Sequence, residues 1–174
     1  MTSFRMLVCL LLSFSLDCVA LPLPEQVAGD FPQLRLAGEG RLRWLGWHIY
    51  DAALWVNGPR WNVDSEFALD IRYARNIKGR QLVEASISEM KRLGYLDQEK
   101  LSRWSQEMLR VFPDVRKGEH ITGVNRPGVG AAFYHKGRSA GLIGDPEFAR
   151  AFFAIWLDAR TREPGLRKSL FGGT

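Results

Sequence analysis

The sequence has very little cysteine, with only Cys9 and Cys18 among its 174 residues. Both lie in the first twenty residues, so a chain beginning after Ala20 has no thiol. Such a chain has no disulfide, no thiolate nucleophile and no cysteine-rich metal site. The sequence also lacks a membrane span near its start, because the apolar stretch from Met6 to Leu16 falls well short of the ~20 residues that a bilayer requires.

Charge of one sign does not concentrate anywhere in the chain. The net charge is +5, but Lys and Arg are scattered without a run of five or six. A basic excess favours anionic partners such as lipid headgroups or fatty acids, whereas scattered charges are typical of a solvated surface. Nucleic acid is not an expected partner of an exported protein. A hydrophobic share of 46% with 25% charged residues indicates a globular domain.

The N-terminus has the parts of a secretory signal peptide. Arg5 gives a basic start, the apolar stretch follows, and small residues ending at Ala20 precede Leu21-Pro22. Cys18 is a poor lipoprotein site because the charged Asp17 precedes it. We therefore predict export to the periplasm, a signal peptide over residues 1–20, a flexible lead-in over 21–33 and one domain over 34–174.

Hydrophobic periodicity predicts strands at the start and in the second half of the domain. Residues 34–56 carry apolar side chains at both parities, which predicts one central strand, buried on both faces or bulged at Gly46. Residues 67–73 alternate as a half-buried strand. Turn signals separate a later three-stranded meander over residues 119–124, 130–135 and 139–143.

Local start and stop signals predict four helices. One spans residues 78–93 with Gly94 as its stop, and Asp97 is an N-cap for the next. Asp145-Pro146 opens a third, and residues 164–170 form a short last helix. The order of strands, helices, strands and helices predicts an α+β fold with an antiparallel sheet.

The short motifs of this chain do not indicate a hydrolase or a metal site. Residues 137–141 fit the G-x-S-x-G pattern of hydrolases, but that motif needs a helix directly after the serine, and Ser139 begins a predicted strand. The histidines, His48, His120 and His135, lack the i, i+4 spacing of a helical zinc site. We therefore predict neither a metal nor a cofactor.

Four residues are candidates for ligand binding: Arg41, Arg43, Tyr50 and Tyr73. The planar guanidinium of arginine binds a carboxylate or phenolate through two parallel hydrogen bonds. A tyrosine hydroxyl nearby can act as a donor. The alternative is that the arginines lie at the exposed edge of the sheet.

Three long blocks, in order, resemble the bacterial chalcone isomerase-like family of exported proteins. They read GEGRLRWLGWHIYDAALW, FPDVRKGEHITGVNRPGVGAAFYHKGR and DPEFARAFFAIWLDARTREPGLRKSLFG, and with the helices between them they cover Leu34 to Gly172. The resemblance implies a large curved antiparallel sheet with helices packed on one face and a ligand cleft between. Plant enzymes of this fold close chalcones into flavanones, and relatives without that activity bind fatty acids.

The catalytic residues of the plant enzymes do not carry over to this chain. Many relatives have an early G-x-G-x-R, but here Leu42 follows Gly38-Glu39-Gly40-Arg41 at the final position. The Tyr, Lys and Asn that contact substrate from the first helix correspond to Leu82, Ala85 and Glu89. We therefore expect no chalcone cyclisation.

Three functions remain open from the sequence. The first is a periplasmic protein that binds a small amphipathic ligand such as a fatty or aromatic acid, with Leu82, Trp104 and Met108 as apolar walls and an arginine neutralising the acid. The second is an isomerase or intramolecular lyase that acts on another small molecule, with Tyr50 or Tyr73 as hydroxyl donor. The third is a non-catalytic envelope interaction protein whose cleft is filled by its own side chains.

Overall fold

The computed structural model describes residues 22–173, so the predicted signal peptide lies outside the described residues. Six strands form one antiparallel sheet in which each strand pairs with the next along the chain. They are β1 (Arg35–Trp44), β2 (Trp47–Val56), β3 (Phe67–Tyr73), β4 (His120–Arg126), β5 (Gly130–His135) and β6 (Arg138–Ile143). The predicted α+β class and antiparallel meander are confirmed.

Five helices accompany the sheet: α1 (Glu25–Asp30), α2 (Gly79–Arg92), α3 (Gln98–Val111), α4 (Pro146–Leu157) and α5 (Pro164–Leu170). The last four pack on one face and share the main core with the inward residues of the strands. Helix α1 lies on the opposite face. Within residues 22–173, no helix combines the length and apolarity needed to cross a bilayer.

The first predicted strand is two strands joined by a tight hairpin. Leu45 and Gly46 both have positive φ, 49° and 81°, as the two central residues of a type I′ turn require. The expectation of one central strand over residues 34–56 is therefore wrong, and β1 is an edge strand. The error arose because an Asn-Gly or Asp-Gly pair, the usual signal of this turn, is replaced by Leu-Gly.

A bulge does occur in this hairpin, but three residues beyond Gly46. Leu42 pairs with Tyr50 and Arg43 pairs with His48, which leaves Ile49 as the extra residue of β2. Strand β3 is present over the predicted residues, yet it is buried on both faces rather than one. Its odd residues join the main core, while Ala68 packs beneath α1.

The predicted flexible lead-in contains helix α1 and packs against the sheet. Val27 is fully buried, and Leu23 and Leu34 lie with it over Ala68 and Val124. The prediction of a lead-in without regular structure was wrong. The segment contains three prolines and its few apolar residues show no clear period, so their burial is apparent only once the outer face of the sheet has formed. Burying several apolar side chains offsets the entropy of ordering this segment.

Local signals place the ends of the longer helices. The Asp97 carboxylate accepts a hydrogen bond from the Lys100 amide, as predicted for an N-cap. Asp145 accepts from the amides of Glu147 and Phe148. Gly94 ends α2 with φ of 104°, a conformation that glycine adopts without strain.

Two glycines of β1 let helix α5 lie directly on the sheet. A Cβ atom at Gly38 would collide with the Ser169 carbonyl oxygen, and one at Gly40 would lie 2.7 Å from Leu166 Cδ1. Only glycine therefore permits this approach. The Gly38-Glu39-Gly40 sequence therefore has a packing role against α5.

Candidate ligand cavity

A cavity of about 320 Å³ lies between the sheet and the helices α2 and α4. Its floor is formed by inward residues of β1 to β5 and its cover by α2, α4 and the loop over residues 158–163. Most lining side chains are aliphatic or aromatic, including Leu69, Ile71, Leu82, Ile121, Phe133, Phe152 and Ile155. The cleft is therefore not filled by the protein's own side chains. The third function considered from the sequence, an interaction protein, requires a filled cleft.

Two tyrosines supply phenolic groups inside this apolar space. Tyr50 on β2 and Tyr73 on β3 are paired in register, and their rings meet edge to face with centroids 6.3 Å apart. The Trp156 indole donates a hydrogen bond of 2.8 Å to the Tyr50 hydroxyl, whose own proton is thus available to a further acceptor. Burial raises the pKa of both tyrosines, so both remain neutral hydroxyls at physiological pH.

The bulge in β2 brings two consecutive side chains to the cavity. In a regular strand, Ile49 and Tyr50 would point to opposite faces. Because Ile49 is the extra residue, both line the cavity. The hairpin stem therefore contributes three lining residues, Leu42, Ile49 and Tyr50.

The polar rim contains two carboxylates, Glu89 and Glu163, and the guanidinium of Arg162. Glu89 on α2 accepts from Arg162 Nη2 at 3.0 Å and from Arg92 Nε at 2.7 Å. Arg162 lies in the α4–α5 loop, and its side chain is 62% exposed. Thr161 holds this loop to α4 by donating to the Ile155 carbonyl at 2.7 Å. The rim thus offers a cation beside an apolar space.

The structure brings the two predicted tyrosines together but places the two predicted arginines elsewhere. Leu42 lines the cavity, and its neighbour Arg41 points to the opposite face of the sheet, where it pairs with Asp51 at 2.6 Å. Arg43 is exposed and does not line the cavity. Nothing in the polar sequence of residues 158–163 distinguishes Arg162 from Arg160, so no local signal identified it.

Of the three predicted apolar walls, one lines the cavity. Leu82 does so, whereas Trp104 and Met108 on α3 are fully buried in the core. Leu82, Ala85 and Glu89, which correspond to the substrate-contacting positions of the plant enzymes, all face the cavity from α2. Their i, i+3 and i+7 spacing puts them on one side of the helix.

The histidines do not converge. His48 lies 3.1 Å from Asp51, His120 lies 2.7 Å from the buried Asp70, and His135 lies 3.2 Å from Glu119. Over residues 22–173, no group of three or more His, Asp or Glu side chains has an arrangement that could hold a metal ion. Ser139 lies in β6, which continues as a strand, so the helix of a nucleophile elbow does not follow it.

Comparison with known proteins agrees with this architecture. The family model described as chalcone isomerase-like matches residues 16–172. No curated protein sequence matches the chain. Among solved structures, a fatty-acid binding protein of Arabidopsis thaliana superposes with a TM-score of 0.62 at 13% identity, over 80% of this chain and 87% of that one. The chain belongs to the chalcone isomerase-like family.

Proposed function

We propose that this protein binds one small amphipathic molecule, a fatty acid or an aromatic acid, with its apolar part in the cavity. The cavity itself carries the proposal: its volume of about 320 Å³ lies within the range of ~300–1,000 Å³ typical of ligand sites. Apolar walls with a few grouped polar side chains are typical of such sites. The solved neighbour that is itself a fatty-acid binding protein supports the same class of ligand.

Arg162 is the residue we propose for the acid head group. It lies at the rim, and Glu89 keeps Arg92 as a partner if Arg162 turns toward a ligand. A ligand carboxylate would therefore not leave Glu89 without a cation. Arg162 takes the role that the sequence assigned to Arg41 or Arg43.

The same site favours binding over catalysis. Stabilising a phenolate or enolate needs a cation held in a water-excluded place, whereas the Arg162 side chain is 62% exposed. Leu82 and Ala85 cannot transfer protons. The neutral tyrosines can orient a polar group by hydrogen bonding, which suits a binding protein.

A series of saturated fatty acids of increasing length tests the proposal by titration calorimetry or tryptophan fluorescence, since Trp156 lines the cavity. Each methylene group that enters an apolar site contributes about 0.8 kcal/mol, or roughly a fourfold gain in affinity. We expect affinity to rise with length and then to level off when the cavity is full. Absence of saturable binding for fatty and aromatic acids alike would refute the proposal.

The head group is tested in the same titration with Arg162→Ala and, as its matched control, Arg41→Ala. Both changes remove an arginine that pairs with a carboxylate, but only Arg162 lines the cavity. We expect Arg162→Ala to weaken the binding of a fatty acid by up to about tenfold, because solvent screens the exposed guanidinium. The affinity for the corresponding fatty alcohol should not change. Equal losses in both variants would remove Arg162 from the site.

We also propose that the protein is exported and acts in the periplasm. The basic start, the apolar stretch and the small residues before Leu21 support this. N-terminal sequencing of the protein recovered from the cell envelope should give a chain that begins at Leu21. A chain that retains Met1 and stays in the cytoplasm would contradict export without affecting the ligand proposal.

A further inference from the structure

The β1–β2 hairpin ends in a group of exposed apolar side chains, which we call the hairpin tip: Trp44, Leu45 and Trp47. Their exposed fractions are 64%, 78% and 63%. Single exposed apolar residues are ordinary on a protein surface. Three large ones within four positions, including two tryptophans, form an apolar projection on the surface.

The backbone at the centre of the turn has a conformation that is unfavourable for leucine. Leu45 has φ of 49°, in the left-handed region where Asn, Asp and Gly are usual and where a leucine carries an energetic cost. An asparagine there would make a better turn. The leucine contributes nothing to the core, since it is the most exposed of the large apolar side chains described. A function for its side chain outside the protein accounts for its presence.

Two arginines lie beside the tip. Arg43 flanks it on β1, and Arg75 places its guanidinium 5.1 Å from the centre of the Trp47 ring. No acidic residue occurs from Arg41 to Tyr50. The next one along the chain, Asp51, already pairs with Arg41 at 2.6 Å. The tip therefore presents apolar and cationic groups together.

The shape of the tip favours a bilayer over a protein as its partner. A stable protein interface buries about 800 Å² on each side, and three side chains on a projecting turn fall well below that. A bilayer, in contrast, surrounds a projecting group on all sides. Tryptophan concentrates at the membrane interface, and nearby arginines are attracted to anionic headgroups.

We propose that the hairpin tip docks this protein to the surface of an anionic phospholipid membrane. The stem of the same hairpin lines the cavity through Leu42 and Ile49. Docking would therefore hold the cavity close to the lipid surface, where an amphipathic ligand can transfer between the two. The transfer rests on the proposed function, whereas the docking does not.

Flotation with vesicles tests the docking in the absence of any fatty acid. One set contains phosphatidylglycerol and phosphatidylcholine, and the other contains phosphatidylcholine alone. We expect the wild-type protein to bind the anionic vesicles, and salt to weaken the binding. Leu45→Asn should reduce the vesicle partition coefficient about tenfold, and it should raise the melting temperature by relieving the turn. Trp44→Ser with Trp47→Ser should abolish binding.

Leu96→Asn is the matched control, because Leu96 is a leucine of similar exposure, 67%, far along the chain in the α2–α3 connection. It should bind vesicles like the wild type. Docking is overturned if the wild type binds neither set, if Leu45→Asn and Leu96→Asn behave alike, or if the tip instead mediates a dimer that Leu45→Asn dissociates. Fatty-acid binding measured without vesicles is independent of these outcomes, so failure of docking and failure of the proposed ligand are distinguishable.

Discussion

Replacing Ala85 with phenylalanine is expected to weaken the binding of a long-chain fatty acid about a hundredfold. Ala85 lines the cavity from α2 at a solvent-exposed position, so a phenyl ring turned inward would occupy space at the cavity mouth that is open to a ligand. Excluding about four methylene groups from an apolar site costs about 3 kcal/mol, which is about a hundredfold in affinity. Titration of the variant with the same series of acids measures the loss.

The dependence of this loss of affinity on the length of the acid distinguishes a smaller cavity from a damaged protein. A smaller cavity should still bind short acids, so the length at which affinity levels off should fall while the melting temperature is kept. Ser88→Phe is the control, because Ser88 lies on the same helix, is exposed and does not line the cavity. Equal losses in the two variants, or uniform loss across all lengths, would argue against ligand in this cavity.

Asp145→Ala is expected to lower the free energy of unfolding by about 3 kcal/mol. One carboxylate oxygen caps α4 by accepting from the amides of Glu147 and Phe148. The other accepts from the Trp104 indole at 2.9 Å, and Trp104 is only 1% exposed. Alanine would therefore remove a helix cap and leave a buried donor without an acceptor. Urea denaturation measures the change.

Asp97→Ala separates the two contributions. Asp97 caps α3 through the Lys100 amide and lies at an exposed position, so its loss should cost only about 1 kcal/mol. The excess in Asp145→Ala then reports the indole hydrogen bond together with the second capped amide and the exposed ion pair with Arg103. If both variants lose the same free energy, these additional contacts of Asp145 do not stabilise the fold.

The pH dependence of the Asp145 effect has a definite sign. Burial raises the pKa of Asp145, but hydrogen bonds from Trp104, the Phe148 amide and Arg103 outweigh burial and hold the pKa below its ordinary value. A carboxyl of lowered pKa contributes stability above its unfolded pKa of about 3.9 and loses it as the pH falls through the folded pKa. The difference between wild type and Asp145→Ala should thus be complete at neutral pH and shrink under strongly acidic conditions.

Most element boundaries followed from the sequence because they depend on neighbours along the chain. A capping carboxylate bonds to amides two or three residues away, as at Asp97 and Asp145, and the geometry needs no distant partner. The turn between β4 and β5 is equally local, because Pro127 and Gly128 occupy its two central positions and Gly128 has φ of 72°. Where the local signal was atypical, prediction failed: Leu45-Gly46 lacks the usual turn residues, and one strand was expected where a hairpin exists.

The candidate site could be predicted only in part. Tyr50 and Tyr73 both line the cavity, because each points to the inward face of the sheet. Arg41 and Arg43 do not line it, since Arg41 takes the opposite parity to Leu42 and a register shift separates Leu42 from Arg43. Arg162 lies in a loop between two helices, and a loop has no hydrophobic period from which the direction of a side chain could be predicted.

The sequence by itself determined the class of fold, the order of the elements from β3 onward and the ends of the longer helices, because those depend on short-range hydrogen bonds and on hydrophobic periods. Only the tertiary structure decided that α1 covers the outer face of the sheet and that Arg162 reaches Glu89. The cavity, too, was decided only by the tertiary structure. Its walls come from strands and helices far apart in the chain, and their separation is set by how the elements pack, which no local pattern encodes.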